Sequence, residues 1–141
     1  MVTFDIDIQK QLIYASLDDF SANAALPNVL GGQYGATSDA WRQVVIQFVC
    51  DAVRAGLIAA LPGKEGYHLK SVDGLRDLLS HGDINNGLDV SLLWDVIHFA
   101  GTKSLRDVLS SYQLDNWNAM NSELHSELGR VLADMQVVHI L

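Results

Sequence analysis

The chain has 141 residues, 49% hydrophobic and 18% charged, with 17 Asp and Glu against 9 Lys and Arg for a formal charge of −8. That length suits one domain spanning 1–141 with a core of its own, and the composition excludes intrinsic disorder. The acid excess disfavours nucleic acid and anionic membrane surfaces as partners, because both draw affinity from Lys and Arg.

The first element is a helix predicted over 6–20, where Ile6, Ile13, Leu17 and Phe20 recur at helical spacing with Leu12 beside them. Asp7, Gln11, Tyr14 and Asp18 follow at i, i+4, i+7 and i+11 and form its polar, solvent-facing side. Residues 21–36 contain Pro27, Gly31, Gly32 and Gly35 and interrupt the chain. A connection of that length is uncommon in a compact domain unless it has a task or hides a helical turn, for which 24–30 is suited.

Ser38 is the expected N-cap of the next helix, with Asp39 in its first turn. Trp41, Val44, Val45, Phe48, Val49, Ala52 and Val53 give it a broad apolar stripe, and Gln43, Gln47, Asp51 and Arg54 leave only a narrow polar edge. This is the expected central helix, ending at Gly56. The surrounding apolar stretch, 44–61, is broken by Gln47, Asp51 and Arg54 and falls short of a membrane span.

Two short apolar-containing runs, 57–61 and 67–70, flank a Pro-Gly-Lys-Glu-Gly loop and predict a hairpin near 57–70, with an irregular loop as the alternative. Ser71 and Asp73 are placed to cap a short helix facing inward through Val72, Leu75, Leu78 and Leu79 and stopped by Gly82. After a polar turn at 83–87, the nearly all-apolar run 88–100 reads as another helix ended by Gly101. Ser104 with Asp107 resembles a capping box, opening a helix that buries Leu105, Val108, Leu109 and Tyr112. A last helix, 115–135, presents Trp117, Met120, Leu124, Leu128, Val131, Leu132 and Met135 on one face, and the β-prone tail 137–141 docks against something. The fold class expected from this pattern is all-α, a bundle of about six helices with one short hairpin.

The residues that carry chemistry elsewhere do not form a motif here. The five histidines, His68, His81, His98, His125 and His139, fall on different elements, and none has metal-ligand spacing. Asp95 and His98, with Ser91 on the same predicted helix edge, outline acid–base chemistry. Side chains on one helix point outward side by side, however, and a solvated edge is the favoured reading. The lone Cys50 sits among Phe48, Val49 and Val53 beside Asp51, a setting for core packing rather than a reactive thiolate. Gly31-Gly32-Gln33-Tyr34-Gly35 lacks the Lys-Ser/Thr of a phosphate loop, and Gly63-Lys64-Glu65-Gly66 offsets its Lys with a Glu. No catalytic residue, cofactor or metal is therefore expected. The single cysteine and an acidic start without a long apolar run point to the cytoplasm.

What remains is binding. Asp5, Asp7, Asp18, Asp19 and Asp39 face a single Lys10 within residues 1–39, and Tyr14 lies among the acids on the first helix. Glu123 and Glu127, at i, i+4, form a second acidic pair that Arg130 can partly relieve. Asp7, Gln11, Tyr14, Asp18, Asp19, Glu123 and Glu127 are the expected partner-binding residues, and the partner they suit is a basic protein.

In size, acidic balance, helical content and lack of a catalytic signature, the chain resembles the small immunity proteins of bacterial polymorphic toxin systems, including contact-dependent growth inhibition. Trp41 opening a long apolar helix and the Asn85-Asn86-Gly87 turn are compatible with that resemblance. It implies tight complex formation with a cognate toxin domain, a nuclease among the candidates because its cleft is positive. Three other readings stay open. One is a helical adaptor, chaperone or regulatory subunit using an apolar groove between 21–36 and the last helix. The second is an enzyme acting through Asp95 and His98. The third is a winged-helix DNA binder, which the poverty of Lys and Arg on the 41–55 helix opposes.

Overall fold

The central helix of the molecule runs Ser38–Arg54 and is buried on almost every side. Trp41, Val45, Phe48, Val49 and Ala52 lie within the core, and Ile46 and Cys50 join them. This computed structural model describes residues 1–61 and 71–141. In chain order its α-helices are α1 (Ile6–Leu17), α2 (Ser38–Arg54), α3 (Val72–His81), α4 (Val90–Val96), α5 (Lys103–Ser110) and α6 (Ser126–Asp134). Its strands are β1 (Val2–Thr3), β2 (Phe20–Ser21), β3 (Ile58–Leu61), β4 (His98–Gly101) and β5 (Val138–His139).

The expected all-α class is overturned by those strands, and the fold is mixed α/β. β4 is the centre of a three-stranded antiparallel sheet, ordered β2-β4-β3, in which Phe20 pairs with Phe99 and Ile58 with Gly101. β1 and β5 form a separate parallel pair, Val2 opposite Val138. The run 88–100 misled because an apolar stretch without polar punctuation fits a buried helix or a buried strand equally well. It is in fact both, since α4 stops at Val96 and the chain continues as β4. Gly101 lets that sheet press onto α1, for a Cβ there would stand 2.7 Å from the Ala15 carbonyl oxygen.

The expected hairpin at 57–70 is also revised. Its first run is a strand, but β3 pairs with β4 from much later in the chain. The turn at 62–66 and the second run lie outside the described residues.

Several helix ends shift for identifiable reasons. Asp5, not part of the predicted pattern, caps α1 by accepting from the Ile8 N–H at 3.0 Å. α1 ends at Leu17 rather than residue 20, because Phe20 is claimed by β4. Thr102 rather than Ser104 caps α5, its Oγ1 accepting from the Leu105 N–H at 3.3 Å. Ser71 caps α3 through the Gly74 N–H at 3.0 Å, and Gly82, with φ of +82°, follows its last residue.

The predicted helix at 115–135 breaks in two: a 3-10 turn at Trp117–Asn121, then α6 from Ser126. Gln9 of α1 is the cause. Its Nε2 donates to the Glu123 carbonyl at 2.9 Å and its Oε1 accepts from the His125 N–H at 2.8 Å. Those two backbone groups are thereby drawn out of any helical ladder. As a result Trp117 and Leu124, expected on a buried face, are both exposed.

Around α2 the buried tryptophans and Asp51 find polar partners, while the buried Nε of Arg42 has none among the described residues. Trp41 and Trp94 stack with centroids 5.5 Å apart, and their indole N–H groups donate to the carbonyls of Leu26 (3.0 Å) and Leu79 (2.8 Å). Asp51, nearly buried, accepts from Gln47 and Arg54, and Arg54 also donates to the Gln136 carbonyl at 2.7 Å. That last bond ties the approach to β5 onto α2. Among the described residues, no helix is long and apolar enough to cross a membrane.

Candidate functional site

Helical geometry puts Asp7, Gln11 and Tyr14 in one row along α1. The sequence places that row in solvent, and the structure corrects this. Gln11 is buried, Asp7 and Tyr14 are half-buried, and all three form one wall of a cavity of about 230 Å³. The opposite wall is the segment after β2, through Leu26 and Pro27, and Met120 closes one side. Phe20 supplies further apolar surface, and Lys10 shares the wall of α1.

Gln11 holds this arrangement in place. Its Oε1 accepts from the Leu26 N–H at 2.8 Å, and Leu26 sits at φ +47°, a left-handed conformation uncommon for a non-glycine residue. The Leu26 carbonyl in turn receives the Trp41 indole N–H, so α1 and α2 pin the loop from both sides. Gly32 locks the loop further on, at φ +68°, where a Cβ would stand 2.7 Å from the Pro27 carbonyl oxygen. The task expected of a long 21–36 connection thus has a physical form: it walls a cavity.

At the end of α1 lie the exposed acids. Asp18 accepts from the Asp19 N–H at 2.9 Å, and Asp19 accepts from His98 Nδ1 at 2.7 Å across the β2–β4 junction. The hydrogen bond from His98 is the main cause holding the Asp19 carboxyl below its ordinary pKa. Nearby, Asn23 Nδ2 donates to Asp95. Pairing of β2 with β4 thus joins Asp19 to His98, and Asn23 just after β2 meets Asp95 of α4, links that neither helix periodicity nor linear spacing announces.

The other expected constellations come apart. Ser91 donates to Asp89, Asp95 receives Asn23, and His98 is engaged by Asp19, so Ser91, Asp95 and His98 serve three different partners. Glu123 lies in the segment between the 3-10 turn and α6, whereas Glu127 is in the first turn of α6; both are exposed but they do not share a helix face. Arg130 makes no ion pair with Glu127 among the described residues. Cys50 is fully buried and its thiol is pushed above the ordinary pKa by that burial. Among the described residues, no three His, Cys, Asp or Glu side chains converge as metal ligands.

Tyr14 meets Trp117 edge-on with centroids 5.6 Å apart, so an exposed aromatic flanks the cavity wall. Of these neighbours, Lys10, Phe20, Leu26, Pro27 and Met120 were not singled out from the sequence as site residues. The Pro- and Gly-rich loop pointed toward Leu26 and Pro27, and the groove expected between that loop and the last helix toward Met120. No protein-family model, no curated protein and no solved structure matches this chain.

Proposed function

We propose that this protein works by binding rather than catalysis, as an immunity protein that neutralises a cognate bacterial toxin domain through its acidic surface. The observation that carries the reading is the state of its carboxylates. Asp18, Asp39 and Asp95 are exposed, and no Lys or Arg is ion-paired to them among the described residues. Asp51 pairs with Arg54 and Asp107 with Lys103. A surface left in that condition attracts a cationic partner over distances near the Debye length and speeds its capture. Nuclease clefts are cationic because they bind phosphate, which makes a nuclease domain the toxin class best matched. The cytoplasm is the compartment this reading assigns, and a single buried thiol needs no oxidising environment.

The test is co-expression with the product of the adjacent gene, followed by purification of any complex and a growth-rescue assay against that product. Asp18→Lys with Asp95→Lys is expected to slow association roughly tenfold or more at low salt, with the dissociation rate little changed. An association rate indifferent both to those substitutions and to added salt would refute the electrostatic basis. A second reading, a helical adaptor, chaperone or regulatory subunit, draws on the cavity beside α1. Co-elution with a defined host protein in cells lacking the toxin would favour it.

A further inference from the structure

The cavity beside α1 has an unspent donor. Gln11 is 6% exposed, and its Oε1 is committed to the Leu26 N–H. Because a backbone N–H can only donate, the atom facing it must be the amide oxygen, which fixes the orientation of the group. Its Nε2 has no hydrogen-bond partner among the described residues, and it is not among the side-chain atoms sealed from solvent without one. Gln11 lines the cavity, so its remaining amide donor is available to what occupies it.

The occupant must satisfy several conditions together. At about 230 Å³ the space lies below the roughly 300–1,000 Å³ of ordinary ligand pockets and suits one large side chain. Phe20, Leu26, Pro27 and Met120 demand an apolar body. Gln11 demands an acceptor at its tip. Lys and Arg bring donors only and so leave the Gln11 donor unmet, while a carboxylate brings a charge that Lys10 attracts but Asp7 repels. Phe and Leu leave the Gln11 donor unsatisfied, and the Trp indole only donates. A phenol meets every condition, because its ring fills the apolar space and its hydroxyl both accepts and donates.

The geometry points to this cavity as the anchor pocket of the docking surface, taking one tyrosine side chain from the partner protein. This rests on the immunity reading for the identity of the partner, and it adds a pocket to an interface otherwise defined by charge. An aromatic seated in such a pocket, ringed by polar groups, is the usual form of an interface hot spot.

The experiment needs no toxin. The full chain, labelled with ¹⁵N, is titrated with N-acetyl-L-tyrosinamide and, in parallel, with N-acetyl-L-phenylalaninamide. Saturable shifts of the Gln11 side-chain amide and of Phe20 and Ala24 are expected, with a dissociation constant on the order of millimolar for tyrosinamide. Phenylalaninamide should bind several-fold more weakly for want of the hydroxyl. Ala24→Trp, placed at an exposed lining position, should block the pocket without touching the core. Absence of saturable shifts, equal binding of the two amides, or binding undiminished in Ala24→Trp would each overturn the pocket while leaving the acidic docking reading intact. Conversely, failure of the toxin-rescue test with tyrosinamide binding preserved would remove the immunity reading and keep the pocket.

Discussion

Gln9→Leu is the substitution most revealing of how this fold is held. Gln9 is fully buried, and its amide makes two hydrogen bonds to a segment 114 and 116 residues away, at the Glu123 carbonyl and the His125 N–H. Leucine has nearly the same volume, so no cavity is created and the loss is that of the hydrogen bonds. Each orphaned buried backbone group costs about 1–3 kcal/mol, and with both groups only part-buried the sum is about 2–4 kcal/mol. Against a typical total of about 5–15 kcal/mol, that is a large fraction of the stability. At this chain length it corresponds to a fall in Tm of roughly 5–15 °C. Urea and thermal unfolding measure the effect, and amide hydrogen exchange localises it, with the His125 N–H expected to lose protection first. Gln9→Glu is the informative companion, since it retains the acceptor for His125 but sets a carboxylate oxygen against the Glu123 carbonyl. If Gln9→Leu unfolds within about 0.5 kcal/mol of the parent, as a neutral surface change would, then the Gln9 clamp does not hold the 117–125 segment and the reasoning fails.

Three further outcomes follow from the same structure. Trp41→Phe removes the indole donor from the Leu26 and Ala25 carbonyls and should cost about 1–3 kcal/mol in urea unfolding; it should also loosen the cavity wall, seen as shifts in the Gln11 side-chain amide. Asp19, whose carboxyl is held below its usual pKa chiefly by the His98 hydrogen bond, contributes stability that is present above about pH 4 and lost as pH falls through its folded value. Asp19→Asn should therefore flatten the acid limb of the stability–pH curve, by a small amount because the group is exposed. Cys50 runs the other way, since burial raises its thiol pKa, so the stability it contributes is complete below about pH 8.5 and declines as pH rises toward the folded value. Cys50→Ala should remove that alkaline decline, and a thiol reagent should label the parent only when urea unfolds it.

Much of the molecule's local structure was written in nearest-neighbour chemistry. The broad stripe of α2, the Ser71 cap and the Gly82 stop of α3, and the stripe of α5 through Leu105 and Leu109 all depend on residues within a turn or two of each other. Periodicity and capping act over that range, so one sequence is enough to see them. The row Asp7, Gln11 and Tyr14 was legible for the same reason, as a row. That it faces a cavity and not open solvent was not, because spacing says which residues share a face and nothing about what lies opposite.

The tertiary structure decided whatever depended on distant partners. Strands of two to four residues carry too little pattern to be recognised alone; β1 becomes a strand only because β5 lies beside it, and β4 only between β2 and β3. Gln9 and Gln11 look like surface residues until the 117–125 segment and the Leu26 turn arrive to use their amides. The Asp19–His98 bond likewise exists only once β2 pairs with β4. Sequence by itself settled where α2, α3 and α5 would coil and how charged the whole would be, because those follow from side chains a few residues apart. The meeting of remote backbone groups settled where α1 and α4 stop, where the sheets form and which polar side chains are drawn inside, because a hydrogen bond is satisfied by geometry in space and not by proximity along the chain.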